Sequence, residues 1–146
     1  TEIYTLSLHV ALPISSWARE LQADGFFRNI DVCVPVPLHR RRQRRRGYNQ
    51  AEWIARGLAT VYHCPVDTQT LVRAVDTETQ THKSAYERRM NVAEAFCLSR
   101  PERLANKHVL LVDDVLTTGA TLLSCIDCLM RIPHISISVF TLAFAL

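Results

Sequence analysis

The sequence predicts an α/β fold: a central, mostly parallel sheet of about five strands, flanked by helices. Three observations predict it. Apolar, β-rich runs alternate with helical periodicity, which calls for βαβ crossovers and a sheet covered on both faces. The most apolar of these runs ends in two adjacent carboxylates and passes into a threonine-rich turn containing a glycine. The length, 146 residues, suits one domain with a real core.

The elements follow in order. Residues 1–16 (TEIYTLSLHVALPISS) match nothing downstream in style and resemble a translated sequencing adapter. They read as a short strand or an unstructured, non-native arm, with the domain proper over residues 17–146. Trp17, Leu21 and Phe27 suit a short amphipathic helix ending near Gly25. Residues 30–37 (IDVCVPVP) form a buried strand closed by proline. An arginine-rich loop follows. Ala51, Ile54, Ala55, Leu58, Ala59 and Tyr62 then recur at helical spacing, so residues 49–62 form an amphipathic helix with Asn49 as its cap. Residues 65–72 are a second strand. Residues 74–90 (AVDTETQTHKSAYERRM) are polar and without period, a long loop or lid of the kind that carries function in compact domains. A short strand over 93–98, the strongest strand over 108–115, a helix over 120–131 stopped before Pro133, and a closing strand over 135–146 complete the chain. No repeat or linker divides it.

Composition narrows the class. Hydrophobic residues make up 48% and charged residues 21%, the balance of a folded globular chain. A net charge of +3 excludes a chain that is basic throughout, yet Arg40, Arg41, Arg42, Arg44, Arg45 and Arg46 crowd into one loop. Five scattered cysteines argue against a disulfide framework and for a reducing compartment. No apolar run reaches the ~18 residues that span a bilayer. Glu2 stands where a signal peptide carries positive charge. The expectation is a cytoplasmic protein with no membrane insertion.

Residues 109–122 (VLLVDDVLTTGATL) carry the chemistry. Four apolar residues bring a strand to the sheet edge, where Asp113 and Asp114 stand. The turn that follows offers Thr117, Thr118 and Thr121 with Gly119 among them, and then a helix begins. The first N–H groups of a helix have no internal partners and lie at its positive end, so they favour a phosphate. Gly119 lets the backbone approach closely. The carboxylates can accept hydrogen bonds from vicinal ribose hydroxyls, for which an anion-only site has no use. A solvated strand edge with an ordinary helix cap would explain each feature singly but not their conjunction. A Walker loop is excluded because no lysine follows the glycine, and a dinucleotide fingerprint because the spaced glycines are absent.

This segment resembles the motif by which type I phosphoribosyltransferases bind 5-phosphoribosyl-1-pyrophosphate (PRPP). The resemblance implies that Asp113 and Asp114 hold the ribose hydroxyls and serve catalysis. It implies that Thr117, Thr118, Gly119, Ala120 and Thr121 cradle the 5-phosphate.

The arginine loop follows a strand that ends at the same sheet edge, and a pyrophosphate leaving group needs such charge. Arg45, Arg46 and Gly47 are the residues expected nearest the site. Six arginines exceed what one pyrophosphate needs, so others face solvent or a second anion, single-stranded DNA being one candidate. RRRGYNQAE resembles the RGFNQAE signature of the ComF/GntX family, phosphoribosyltransferase-like proteins with roles in DNA uptake and utilisation. Gln80, Thr81, Ser84, Arg88, Asn91 and Phe96 keep the spacing of that family's polar stretch, with Lys83 where leucine is often found. The resemblance implies a lid whose Lys83, Arg88 and Arg89 contact pyrophosphate, or else a loop that Arg88 and Asn91 simply pin. It also implies Mg²⁺ bridging the substrate, held by no protein cage. The family's N-terminal cysteine-rich segment has no counterpart here. Cys125 and Cys128 sit one turn apart on a helix and read as buried thiols.

The activity implied is displacement of pyrophosphate from PRPP by a nitrogen nucleophile. The alternatives are a PRPP or nucleotide sensor on the same fold, and an accessory of DNA uptake and the competence machinery whose arginines touch single-stranded DNA.

Overall fold

The computed structural model describes residues 11–38, 45, 47–73 and 96–145. Along the chain come α1 (Ala11–Ala23), β1 (Val32–Pro35), α2 (Gln50–Tyr62), β2 (Leu71–Arg73), β3 (Phe96–Leu98), a 3₁₀ turn (Pro101–Leu104), β4 (His108–Leu116), α3 (Ala120–Leu129) and β5 (Ser136–Phe144). The sheet order is β1-β4-β5, parallel throughout, with Val32 opposite Val109 and Val109 opposite Ile137.

β4 is central because it is apolar on both faces, as a strand in a covered parallel sheet must be. Its side chains alternate between two cores. Val109 and Leu111 join Val32 and Val34 under Leu122, Cys125 and Leu129 of α3. Leu110 and Val112 join Cys33 under Ile54, Ala55 and Leu58 of α2. All four β4 residues are fully buried. The periodicity of α2 is that of the sequence, and Asn49 caps it by accepting from the Ala51 N–H at 3.1 Å. Its Ile54 and Leu58 are each worth roughly 1.5–3 kcal/mol of burial.

The path of the chain creates a switch in the sheet. After α2 it returns beside β1, where Val66 forms a parallel bridge to Cys33. From β4, by contrast, it crosses over α3 to β5 on the other side. Right-handed crossovers in opposite directions put their helices on opposite faces, as α2 and α3 are. The crevice between the carboxyl ends of β1 and β4 is therefore where the strand order reverses. Ligands of open α/β sheets bind at such points.

Three expectations change. The five strands do not share one sheet: β2 and β3 pair antiparallel as a separate two-stranded ribbon. The expected 65–72 strand divides at Asp67, whose buried carboxylate accepts from the Gln69 and Thr70 N–H groups and from the Thr70 hydroxyl, each at 2.8 Å. That turn leaves Val66 beside β1 and sends Leu71 into the ribbon. The helix expected over 17–27 begins at Ala11 and ends at Ala23, so residues 11–16 are helical. Its inward face is Ile14 and Ala18, packed in the α2 core, while Trp17 is half exposed. Phe27 packs edge-on against Tyr62 and Phe140 from the turn beyond. The first ten residues and the polar stretch 74–95 lie outside the described residues. Among the described residues no helix is long and apolar enough to cross a membrane.

Candidate functional site

Among the described residues the last hydrogen bond between β1 and the central strand runs from the Val36 N–H to the Val112 carbonyl, 2.8 Å. One residue on, Asp113 pairs with Thr141 of β5. The crevice opens at the first carboxylate. Strand alternation puts Asp113 on the α3 face with Val109 and Leu111, while its side chain still meets that of Asp114. Accordingly Asp113 lines an open recess together with Val115, Leu116, Thr117, Gly119, Thr121 and Leu122. Asp114, Thr118 and Ala120 are not among its lining.

Burial decides the chemistry of the acidic pair. Asp113 is partly buried, and desolvation pushes its carboxyl up from 3.8 to about 6. The Asp114 N–H, donating to Asp113 Oδ1 at 2.9 Å, opposes that rise, while the Asp114 charge adds to it. Asp114 Oδ1 accepts from the Val115 N–H at 2.8 Å. Ribose hydroxyls are donors of the kind that would favour the charged form of such a desolvated carboxylate.

Gly119 starts α3 in the left-handed region, φ 78° and ψ −5°. A Cβ there would meet Leu116 Cδ1 at 3.6 Å, an ordinary contact, so the dihedral and not crowding requires glycine. No side chain caps α3 at Gly119, and Thr118 Oγ1 reaches only the Ala120 N–H, at 3.4 Å. The positive end of the helix therefore faces the recess that Asp113 lines.

The residues that flank the arginine stretch, Val36 and Asn49, are held beside this crevice. Val36 is bonded to Val112, and Asn49 Nδ2 donates to the Val36 carbonyl at 3.0 Å. Arg45 and Gly47 are exposed, Gly47 with φ 77° and open space around it, and neither lines the recess. Arg46, Lys83, Arg88 and Arg89 lie outside the described residues, as do Gln80, Thr81, Ser84 and Asn91. Phe96 is buried in the α3 core with the Arg73 guanidinium 5.2 Å from its ring centre. Cys125 and Cys128 are buried thiols on α3, with desolvation raising Cys125 to about 12. Among the described residues no three His, Cys, Asp or Glu side chains gather to hold a metal. The apolar wall of the recess, Val115, Leu116 and Leu122, escaped the sequence reading, since nothing distinguishes a lining leucine from a core leucine until the strand end is placed.

A profile of the phosphoribosyl transferase domain matches residues 9–143, and the chain belongs to that family. Solved structures agree on the fold. Adenine phosphoribosyltransferase from Saccharomyces cerevisiae, complexed with an iminoaltritol bisphosphate and adenine, superposes with a TM-score of 0.60 at 13% identity, covering 95% of this chain and 70% of that one. A Neisseria gonorrhoeae protein with bound ppGpp gives 0.55 at 16% identity, over 90% and 65%.

Within the family the relatives in sequence are of the ComF kind. The DNA utilization protein YhgH of Salmonella typhi is 42% identical over 101 residues, 69% of this chain and 44% of that protein. Competence protein F of Haemophilus influenzae is 38% identical over 116 residues, 79% and 51%. Competence protein ComFC of Bacillus subtilis is 35% identical over 112 residues, 76% and 43%. The chain spans about half the length of the curated relatives it matches.

Proposed function

We propose that the β1–β4 crevice binds PRPP and that the protein transfers its phosphoribosyl group to a nitrogen acceptor, releasing pyrophosphate, in the service of competence or DNA utilisation. The observation that carries this reading is the recess joining a desolvated Asp113 to the N-terminus of α3, whose cap residue is a glycine. A phosphate alone would be repelled by the carboxylate, and a sugar alone would leave the helix end without a partner.

In this reading the 5-phosphate sits on Thr117, Thr121 and the first N–H groups of α3. The ribose hydroxyls donate to Asp113, whose charge then stabilises positive charge developing at C1 as the bond to pyrophosphate breaks. Arg45 and Arg46 receive the pyrophosphate from the adjoining loop, helped by Lys83, Arg88 and Arg89. A Mg²⁺ carried by the substrate's own oxygens would neutralise charge on the leaving group, with one of the two carboxylates able to assist.

The test is pyrophosphate release by the full-length natural protein, given PRPP, Mg²⁺ and a panel of nitrogenous bases. Release that requires one acceptor supports transfer. Saturable PRPP binding with no release under any acceptor would replace transfer by sensing. Salt-dependent affinity for single-stranded DNA, lost on replacing Arg40, Arg41 and Arg42, would assign part of the loop to DNA instead.

A further inference from the structure

The α2 face of the sheet holds a thiol pair for which the phosphoribosyl site has no use. Cys33 on β1 is fully buried, and Cys64 lies just past α2, partly exposed. Their sulfurs are 3.6 Å apart. The backbone explains why. Val66 is the bridge partner of Cys33, with the Cys33 N–H donating to the Pro65 carbonyl and the Asp67 N–H to the Cys33 carbonyl, both at 2.9 Å. Cys64, two residues before Val66, therefore turns its side chain to the same face as Cys33 and is its diagonal neighbour. His63, in the left-handed conformation that ends α2, delivers Cys64 to that place. Closing the sulfurs from 3.6 Å to the roughly 2.05 Å of a disulfide is a movement of about 1.5 Å.

We infer that Cys33 and Cys64 form a reversible dithiol–disulfide couple, oxidised by small hydroperoxides and clasping the edge of the sheet to the end of α2. Exposure divides the roles: Cys33 is fully buried, and the neighbouring sulfur and burial hold its thiol well above the usual range, whereas Cys64 reaches solvent. The more exposed sulfur is thus the one that ionises, and a thiolate is the form that reacts.

The chemistry balances without a cofactor. The Cys64 thiolate attacks the terminal peroxide oxygen, the O–O bond breaks, and the alcohol leaves with one proton, giving a sulfenic acid. Cys33 sulfur then attacks Cys64 sulfur, the S–O bond breaks, and the Cys33 proton departs with the hydroxide as water. Two thiols and one hydroperoxide give a disulfide, an alcohol and water. The bond closes a loop over residues 33–64 that contains the arginine stretch and all of α2, so it constrains the segment that adjoins the carboxylate crevice.

The test is to treat the reduced full chain with equimolar cumene hydroperoxide, alkylate, digest with trypsin without reductant, and weigh the peptides. The expected product links peptide 29–40 to peptide 57–73, and dithiothreitol releases both. Recovery of both cysteines alkylated, or of Cys64 as sulfinic acid beside an alkylated Cys33, would overturn the inference. Two variants address folding separately. Cys33→Ala should accumulate a Cys64 sulfenic acid that a dimedone probe labels at least tenfold more than in the parent. Cys64→Ser, a change at a partly exposed position, should leave Cys33 unoxidised. Equal dimedone labelling of parent and Cys33→Ala, or oxidation of Cys33 without Cys64, would equally count against it.

Discussion

Replacing Asp113 by asparagine should make the empty protein more stable at neutral pH while removing ligand binding. The carboxyl of Asp113 titrates at about 6 in the fold against 3.8 in the unfolded chain, chiefly because burial disfavours its charge. Its native form therefore holds a proton that the unfolded form releases between those two values. Stability falls as pH rises through that window, and the full penalty is present above pH 6. A shift of that size corresponds to at most about 3 kcal/mol, and solvent on the open side of the recess roughly halves it, to about 1.5 kcal/mol. Asparagine keeps an oxygen to accept from the Asp114 N–H and carries no charge to desolvate. Urea melts at pH 7.5 should show the variant more stable by about 1.5 kcal/mol, equivalent to roughly 4–6 °C in a thermal melt of a chain this size. The difference should shrink as pH falls and vanish near pH 4. A variant less stable than its parent at pH 7.5, or a difference that does not vary with pH, would refute the reasoning that desolvation governs this carboxylate.

Other outcomes follow from the same geometry. Gly119→Ala forces a left-handed dihedral on an L-residue, so it should cost about 1–2 kcal/mol in urea melts and weaken phosphate binding, with the loss traced to the turn and not to the core. Leu110→Ala opens a cavity in the middle of the central strand and should cost about 2–5 kcal/mol, measured by the same melts. Asp67→Ala should cost about 2–3 kcal/mol by leaving the Gln69 and Thr70 donors without their acceptor. Burial works to raise the Asp67 carboxyl, but those hydrogen bonds and the Arg103 charge hold it below its ordinary value. Its contribution should therefore be complete at pH 5 and fade only as pH falls below 3.8, a loss absent from the alanine variant.

The strands and helices that position the site were legible because each is specified locally. The run before Asp113 is apolar at every position, which only a strand buried on both faces needs. Ala51, Ile54, Ala55 and Leu58 recur at helical spacing on the face that meets Cys33 and Leu110. Gly119 was legible as a position but not in its reason, since a left-handed dihedral and not close approach requires glycine there. What the sequence left hidden depends on distant parts of the chain. That Asp113 lines the recess and Asp114 does not depends on which core Val109 and Leu111 share with α3. The division of the expected second strand depends on one buried carboxylate, Asp67, that resembles any other aspartate in a row of letters. The early start of α1 depends on Ile14 and Ala18 finding the α2 core, a partner that composition does not reveal. The Cys33–Cys64 approach arises only once Val66 is laid beside β1.

The central claim is that Asp113 and the start of α3 form one PRPP site. Isothermal titration of PRPP with Mg²⁺ into the full-length natural protein, beside Asp113→Asn, tests it most directly. The account predicts one saturable site in the parent, weakening as pH drops below 6, and no binding in a variant that melts higher. Absence of binding in the parent, or unchanged binding in Asp113→Asn, would contradict it.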